Sequence, residues 1–174
     1  MNATDVIAKA LELNTGIMNM ALEGLSDEDL QKLPNKDSNS AGWLLWHQTR
    51  AEDAILSGVT GGPQVWAEGK WHAKFGLPAD PQSTGAGQKM DQVRAFKGKK
   101  KDLLDYAQAV RERTLASLRR LTPADLDKKL PNPPTPAVER VGDMLSILMV
   151  DHFHHCGQIC YLRSYLKGSG WLPF

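Results

Sequence analysis

VGDMLSILMVDHFHHCGQICYLRSYLK, residues 141–167, decides how this chain folds. Its apolar residues recur at three- and four-residue steps and never settle into the period-2 alternation of a half-buried strand. At about 100° per residue, Met144, Leu148, Asp151, His155, Ile159, Leu162 and Leu166 share one face. The pattern predicts a helix from Val141 to Lys167, ended by Gly168 and Gly170 and followed by an apolar tail that includes Trp171, Leu172 and Phe174. Within that face Asp151 is out of place. An ionised carboxylate in an apolar stripe costs several kcal/mol unless a partner or a metal ion compensates it.

The rest of the chain repeats the helical period. A helix is expected from Thr4, as N-cap, to Glu23, a second from Ser40 to Ser57, stopped by Gly58, and a third from Lys100 to Leu121. Between the second and third, residues 59–90 are rich in Gly and Pro and predict a long loop with one short helix near Val65–Ala73. LSDEDLQKLPN (25–35) returns as LTPADLDKKLPN (121–132), each copy placing Ser or Thr before an acidic turn, a capping pattern. The chain therefore reads as two helix pairs: an all-α four-helix bundle with a long loop between helices two and three, forming a single domain over residues 1–174.

Composition narrows the function. The 174 residues carry 21 Lys plus Arg against 20 Asp plus Glu, a formal net charge of +1, which gives no basic footprint for nucleic acid. No apolar run reaches the roughly 20 residues of a membrane span, and MNATDVIAKALEL lacks the layout of a signal peptide, so a cytoplasmic protein is expected. Cys156 and Cys160, four apart on one helix, suit reduced thiols rather than a mutual disulfide.

Candidate chemistry centres on three residues. His47 falls between Trp43, Leu44, Ala51 and Ala54 on the inward side of its helix, while Asp151 and His155 stand at i, i+4 on the last. One His from one helix with an acid and a His from another is the set expected of a three-ligand metal site with open positions. The alternative is two hydrogen-bonded core histidines with Asp151 bridged to Arg50 or Arg163. His152 competes as third ligand, although it lies at the edge of the stripe and would have to turn inward. Cys156 and Cys160 read as small hydrophobes. Arg50 is expected to pair with Asp53, TGAGQK (84–89) to be a flexible connection, and the basic run Lys97, Lys99, Lys100, Lys101 to be solvated. Trp66, Trp71, His72 and Phe75 would wall a pocket or cover the core.

Through GWLLWHQTRAED (42–53), QVWAEGKWHAKFGLP (64–78) and DHFHHCGQICYLR (151–163), the sequence resembles the DinB-like metalloenzymes. Their superfamily also contains mycothiol-dependent maleylpyruvate isomerases and bacillithiol transferases. The family pattern has a His in the second bundle helix and, late in the chain, a ligand, three residues, then His followed by a residue and Gly-Gln. The resemblance implies His47 and His155 as ligands, with Asp151 where many members have His. It also implies a divalent ion, for which two imidazoles and a carboxylate favour zinc or nickel over iron or manganese. A low-molecular-weight thiol, a small-molecule substrate and a homodimer follow from the same resemblance, the apolar tail offering a surface for pairing. The expected function is thus a metal-dependent, thiol-dependent transferase or a related hydrolase or isomerase. The rival is a noncatalytic helical module that binds a small molecule or a protein, with a structural metal or none.

Overall fold

A computed structural model describes residues 1–172. Its elements are α1 (Ala3–Leu22), α2 (Asp27–Gln31), α3 (Ala41–Thr60), α4 (Val65–Glu68), α5 (Trp71–Lys74), α6 (Met90–Ala95), α7 (Lys100–Leu118), α8 (Pro123–Leu126) and α9 (Val141–Lys167). The all-α expectation holds: among the described residues extended pairing is confined to two isolated bridges, Lys129 with Arg140 and Thr135 with Val138. The long helices α3 and α9 pack on each other, α7 lies against α3 and α1 against α9, and α1 and α7 touch only sparingly.

The repeated sequence motif builds the same device twice. Ser26 accepts from the Asp29 amide at 3.1 Å while Asp29 accepts from the Ser26 amide at 3.1 Å, and Thr122 and Asp125 exchange the same two bonds at the start of α8. Each short helix then receives a glycine of the next long helix. A Cβ on Gly42 would meet the Leu30 carbonyl at 2.9 Å, and one on Gly142 the equivalent Leu126 carbonyl at 3.3 Å. These close approaches seat the first turns of α3 and α9 against the short helices that precede them, and α3 and α9 pack on each other.

Several boundaries differ from the sequence reading, each for a local reason. Asn2, not Thr4, caps α1 through a capping box with Asp5. Helix α3 runs through Gly58 and stops at Gly61, whose φ of 71° supplies the left-handed cap. The expected helix at 65–73 is two short ones, broken where Lys70 takes a φ of 51°. Lys100 is not simply solvated: its Nζ donates to the Leu22 and Leu25 carbonyls at 2.7 and 3.0 Å, at the carboxyl end of α1. In the tail, Trp171 folds onto its own chain and donates from Nε1 to Ser164 Oγ at 2.9 Å. Phe174 lies outside the described residues.

The buried face of α9 is rotated from the stripe read off the sequence. Val141, Leu145, Leu148, His152, Cys156, Ile159 and Leu162 are buried, while Met144, Asp151, His155 and Leu166 flank them. Burial against both α1 and α3 gives this helix an arc wider than one stripe, with its centre rotated by about 45°. Leu145→Ala should therefore cost about 2–5 kcal/mol by urea unfolding, as for other fully buried Leu. Met144→Ala should cost clearly less, and equal losses would put the core on the wrong face.

Candidate metal centre

His47 on α3 and Asp151 and His155 on α9 converge. Each offers one ligand atom, and these atoms all lie within 4.8 Å of one another. Asp151 Oδ1 is 3.4 Å from His155 Nε2 and 4.0 Å from His47 Nε2, and the two imidazoles meet edge to face at 4.9 Å between centroids. Ligands about 2.0–2.2 Å from a shared tetrahedral ion lie roughly 3.3–3.6 Å apart, so only a small closure separates this arrangement from a coordination set.

Both rings are held by their outer nitrogens. His47 Nδ1 donates to the Thr84 carbonyl at 2.7 Å, and His155 Nδ1 donates to Gln158 Oε1 at 2.7 Å. Each bond fixes the tautomer that leaves the Nε2 lone pair directed at Asp151, which is how an outer partner prepares a metal-ligating His. Burial holds the His47 pKa below its ordinary 6.5, against the opposing bond to Thr84 and the Asp151 charge. Burial also pushes His155 down, but Asp151 and Gln158 outweigh it and raise its pKa above 6.5. Asp151 Oδ2 is buried with no hydrogen-bond partner.

The alternative bridge from Asp151 to Arg50 or Arg163 does not form; among the described residues Asp151 has only the two histidines as ion-pair partners. Arg50 instead pairs with Asp53 at 3.3 Å, as the sequence suggests, and does more. Its fully buried guanidinium also donates to Tyr106 OH, Gln64 Oε1 and the carbonyls of Pro81 and Ser83 at 2.9–3.2 Å. Asp53 accepts from the amides of Val65 and Trp66 at 2.9 and 2.8 Å and from Tyr106 OH at 2.8 Å, and burial keeps that phenol protonated by raising its pKa. One residue pair thus fastens the start and the middle of the long connection to α3.

The connection is therefore no flexible tether over residues 84–89. Thr84 supplies the His47 acceptor, Gln88 Oε1 accepts from Trp43 Nε1 at 2.9 Å, and Trp43 stacks on His47 at 4.9 Å. Gly85 takes a φ of +95°, and a Cβ there would lie 2.8 Å from Trp46 and 3.1 Å from His47 Nδ1. Trp66 and Phe75 stack on each other in the core, covering it rather than walling a cleft.

His152 does not join the candidate metal group. It is buried on the other side of α9, with Nε2 2.9 Å from Glu52 Oε2 and Nδ1 3.3 Å from Arg111 Nη2, while Arg111 Nη2 reaches Glu52 Oε2 at 3.0 Å. Burial opposes ionisation of Glu52, but His152 and Arg111 more than offset it and hold its carboxyl below the ordinary range. Neither Glu52 nor Arg111 emerges from the sequence reading; the available signal was their position among the apolar residues of amphipathic helices.

Fold and site together define a helical protein with a possible divalent-metal centre. Residues 10–159 match the family model of the DinB superfamily, and the chain belongs to that superfamily. Among solved structures it is similar to a conserved protein from Enterococcus faecalis, with 20% identity and a TM-score of 0.87 over 97% of this chain and 99% of that one, a likeness of fold. No curated protein matches the chain.

Removing Arg50 should loosen the wall of the site from a distance. Arg50→Met leaves Asp53 buried without its cation and is expected to cost about 3–5 kcal/mol. Hydrogen exchange should accelerate across 81–88 before the core of α9 opens. Unchanged protection there would show that the connection is held by other contacts.

Proposed function

We propose that this chain is a metal-dependent enzyme of the thiol-transferase type, or a related hydrolase or isomerase, acting on a small molecule at His47, Asp151 and His155. The observation that carries the reading is a buried carboxylate oxygen without a partner, beside two imidazole nitrogens whose lone pairs face it. A protein without use for an ion there has no compensation for that oxygen. Two imidazoles and one carboxylate suit zinc or nickel, with iron or manganese as weaker alternatives, and three protein ligands leave positions for a substrate.

A bound divalent ion supplies Lewis acidity and lowers the pKa of a thiol or water held beside it. The chain's own residues do the positioning. Thr84 and Gln158 hold the two rings, Asp151 offsets part of the positive charge, and Trp43 excludes water from one face of His47. The choice of a low-molecular-weight thiol as co-substrate rests on the resemblance to thiol-dependent members of the superfamily. A screen of thiols with small electrophiles tests it. Thiol consumption that needs both metal and Asp151 supports transfer, whereas metal-dependent turnover without thiol assigns the site to hydrolysis or isomerisation.

The proposal includes a single domain working in the cytoplasm, for which two free cysteines and the absence, among the described residues, of any helix suited to crossing a membrane are the support. It also includes a homodimer. Ile147, Val150, Phe153, Tyr161 and Tyr165 are exposed within an arc of about 120° on α9, a surface suited to a second copy. Light scattering at micromolar concentration should give twice the chain mass, and a monomer would remove the dimer.

Metal titration separates the third-ligand candidates. Asp151→Ala should lose more than the ~10–100-fold affinity typical of an outer-shell partner. In chelator, at a pH above the His155 pKa where both imidazoles are neutral, it should melt no lower than the parent, because it removes a carboxylate that then has no countercharge. His152→Ala should keep its metal affinity yet lose about 1–3 kcal/mol of stability, since it breaks the contacts to Glu52 and Arg111. Affinity lost in His152→Ala but kept in Asp151→Ala would overturn the assignment.

Ligation requires neutral imidazoles, so the pKa shifts set the pH dependence. On acidification His155, raised above 6.5, protonates before His47, which is lowered below it. Log affinity should therefore fall with a slope of about one between the two values and about two below both. A pH-independent affinity would exclude these histidines as ligands.

A further inference from the structure

A polar cavity lies where the four long helices meet, on the opposite side of α3 and α9 from the candidate metal group. Its volume is about 250 Å³, and the exposed Asn19 of α1 and Gln108 of α7 stand at its rim. Gln48, Glu52, Arg111 and His152 line its interior, each at least nine-tenths buried. Five of their atoms have no hydrogen-bond partner: Arg111 Nε and Nη1, which donate, Gln48 Oε1 and Glu52 Oε1, which accept, and His152 Nε2, which lies 2.9 Å from Glu52 Oε2. Unpaired buried polar atoms are costly, and here donors and acceptors line one cavity that opens between α1 and α7, which touch only sparingly.

The electrostatics select the kind of guest. Arg111 and Glu52 are 3.0 Å apart and neutralise each other. A guest with net charge would bring an uncompensated ion into a buried site, whereas a neutral guest carrying both an acceptor and N–H donors would satisfy atoms of both kinds. The space is equivalent to about eight water molecules at ~30 Å³ each, below the ~300–1,000 Å³ of sites for drug-sized ligands.

We propose that this cavity is a binding site, separate from the metal group, for a small uncharged molecule bearing a primary amide. The carbonyl of the guest accepts from Arg111 and its amino group donates to Gln48 Oε1 and Glu52 Oε1. The site needs no metal, so it stands or falls independently of the proposed enzyme activity.

The test is a nuclear magnetic resonance titration of ¹⁵N-labelled full-length protein in chelator, with acetamide as probe and acetate and methylammonium as charged counterparts. Acetamide should produce saturable shifts centred on Gln48, Arg111 and His152, while acetate and methylammonium produce none there. Gln48→Leu, which keeps the bulk of the side chain and removes one acceptor, should weaken acetamide about tenfold, the effect of one hydrogen bond. It should melt no lower than the parent. Absence of saturable shifts with acetamide would mean that the cavity holds water alone and overturns the proposal. Equal binding of either ion, or undiminished binding in Gln48→Leu, would overturn it too.

Discussion

A guanidinium without solvent contact, that of Arg50, organises the connection beside the candidate site. Its hydrogen bonds to Pro81, Ser83 and Gln64 and its ion pair with Asp53 oblige the segment between α3 and α7 to lie against α3. The bidentate hold of Asp53 on the Val65 and Trp66 amides fixes where that segment leaves the helix. Once the segment is fastened at 65–66 and again at 81–83, Thr84 reaches His47 and Gly85 fits against Trp46, where a side chain would collide. A planar cation with five donors can serve all of these acceptors at once; a lysine could not.

The second organising feature is adjacency in sequence. His47 and Gln48 on α3, and Asp151 and His152 on α9, are neighbours separated by about 100° around their helices, so one member of each pair turns to the connection and the other to the bundle interior. The seam between α3 and α9 therefore carries two polar groups back to back. Counted from Gly42 and Gly142, Glu52 and His152 occupy the same position, and they contact each other at 2.9 Å. The duplicated turn and the paired buried residues are thus two expressions of one internal symmetry.

Much of this was legible in the chain itself. The helical period, the repeated capping motif and the anomaly of Asp151 within an apolar helix are local signals, and local signals survive without coordinates. What failed depended on contacts distant in sequence. The single stripe that the sequence suggests runs through Asp151 and His155, whereas packing against two helices widens the buried arc and draws in His152 and Cys156. Arg111 and Glu52 stand among the apolar residues of their helices, but nothing local shows that they face each other. Residues 84–89 read as flexible because glycine permits both looseness and close approach, and only the position of Trp46 and His47 distinguishes the two.

The central claim is that His47, Asp151 and His155 hold a divalent ion. Its most direct test is an anomalous-scattering map from crystals of untagged protein saturated with zinc. The account predicts one strong peak about 2.0–2.2 Å from His47 Nε2, His155 Nε2 and a carboxylate oxygen of Asp151. A peak held instead by His152 and Glu52, or no bound ion at saturating zinc, would contradict it.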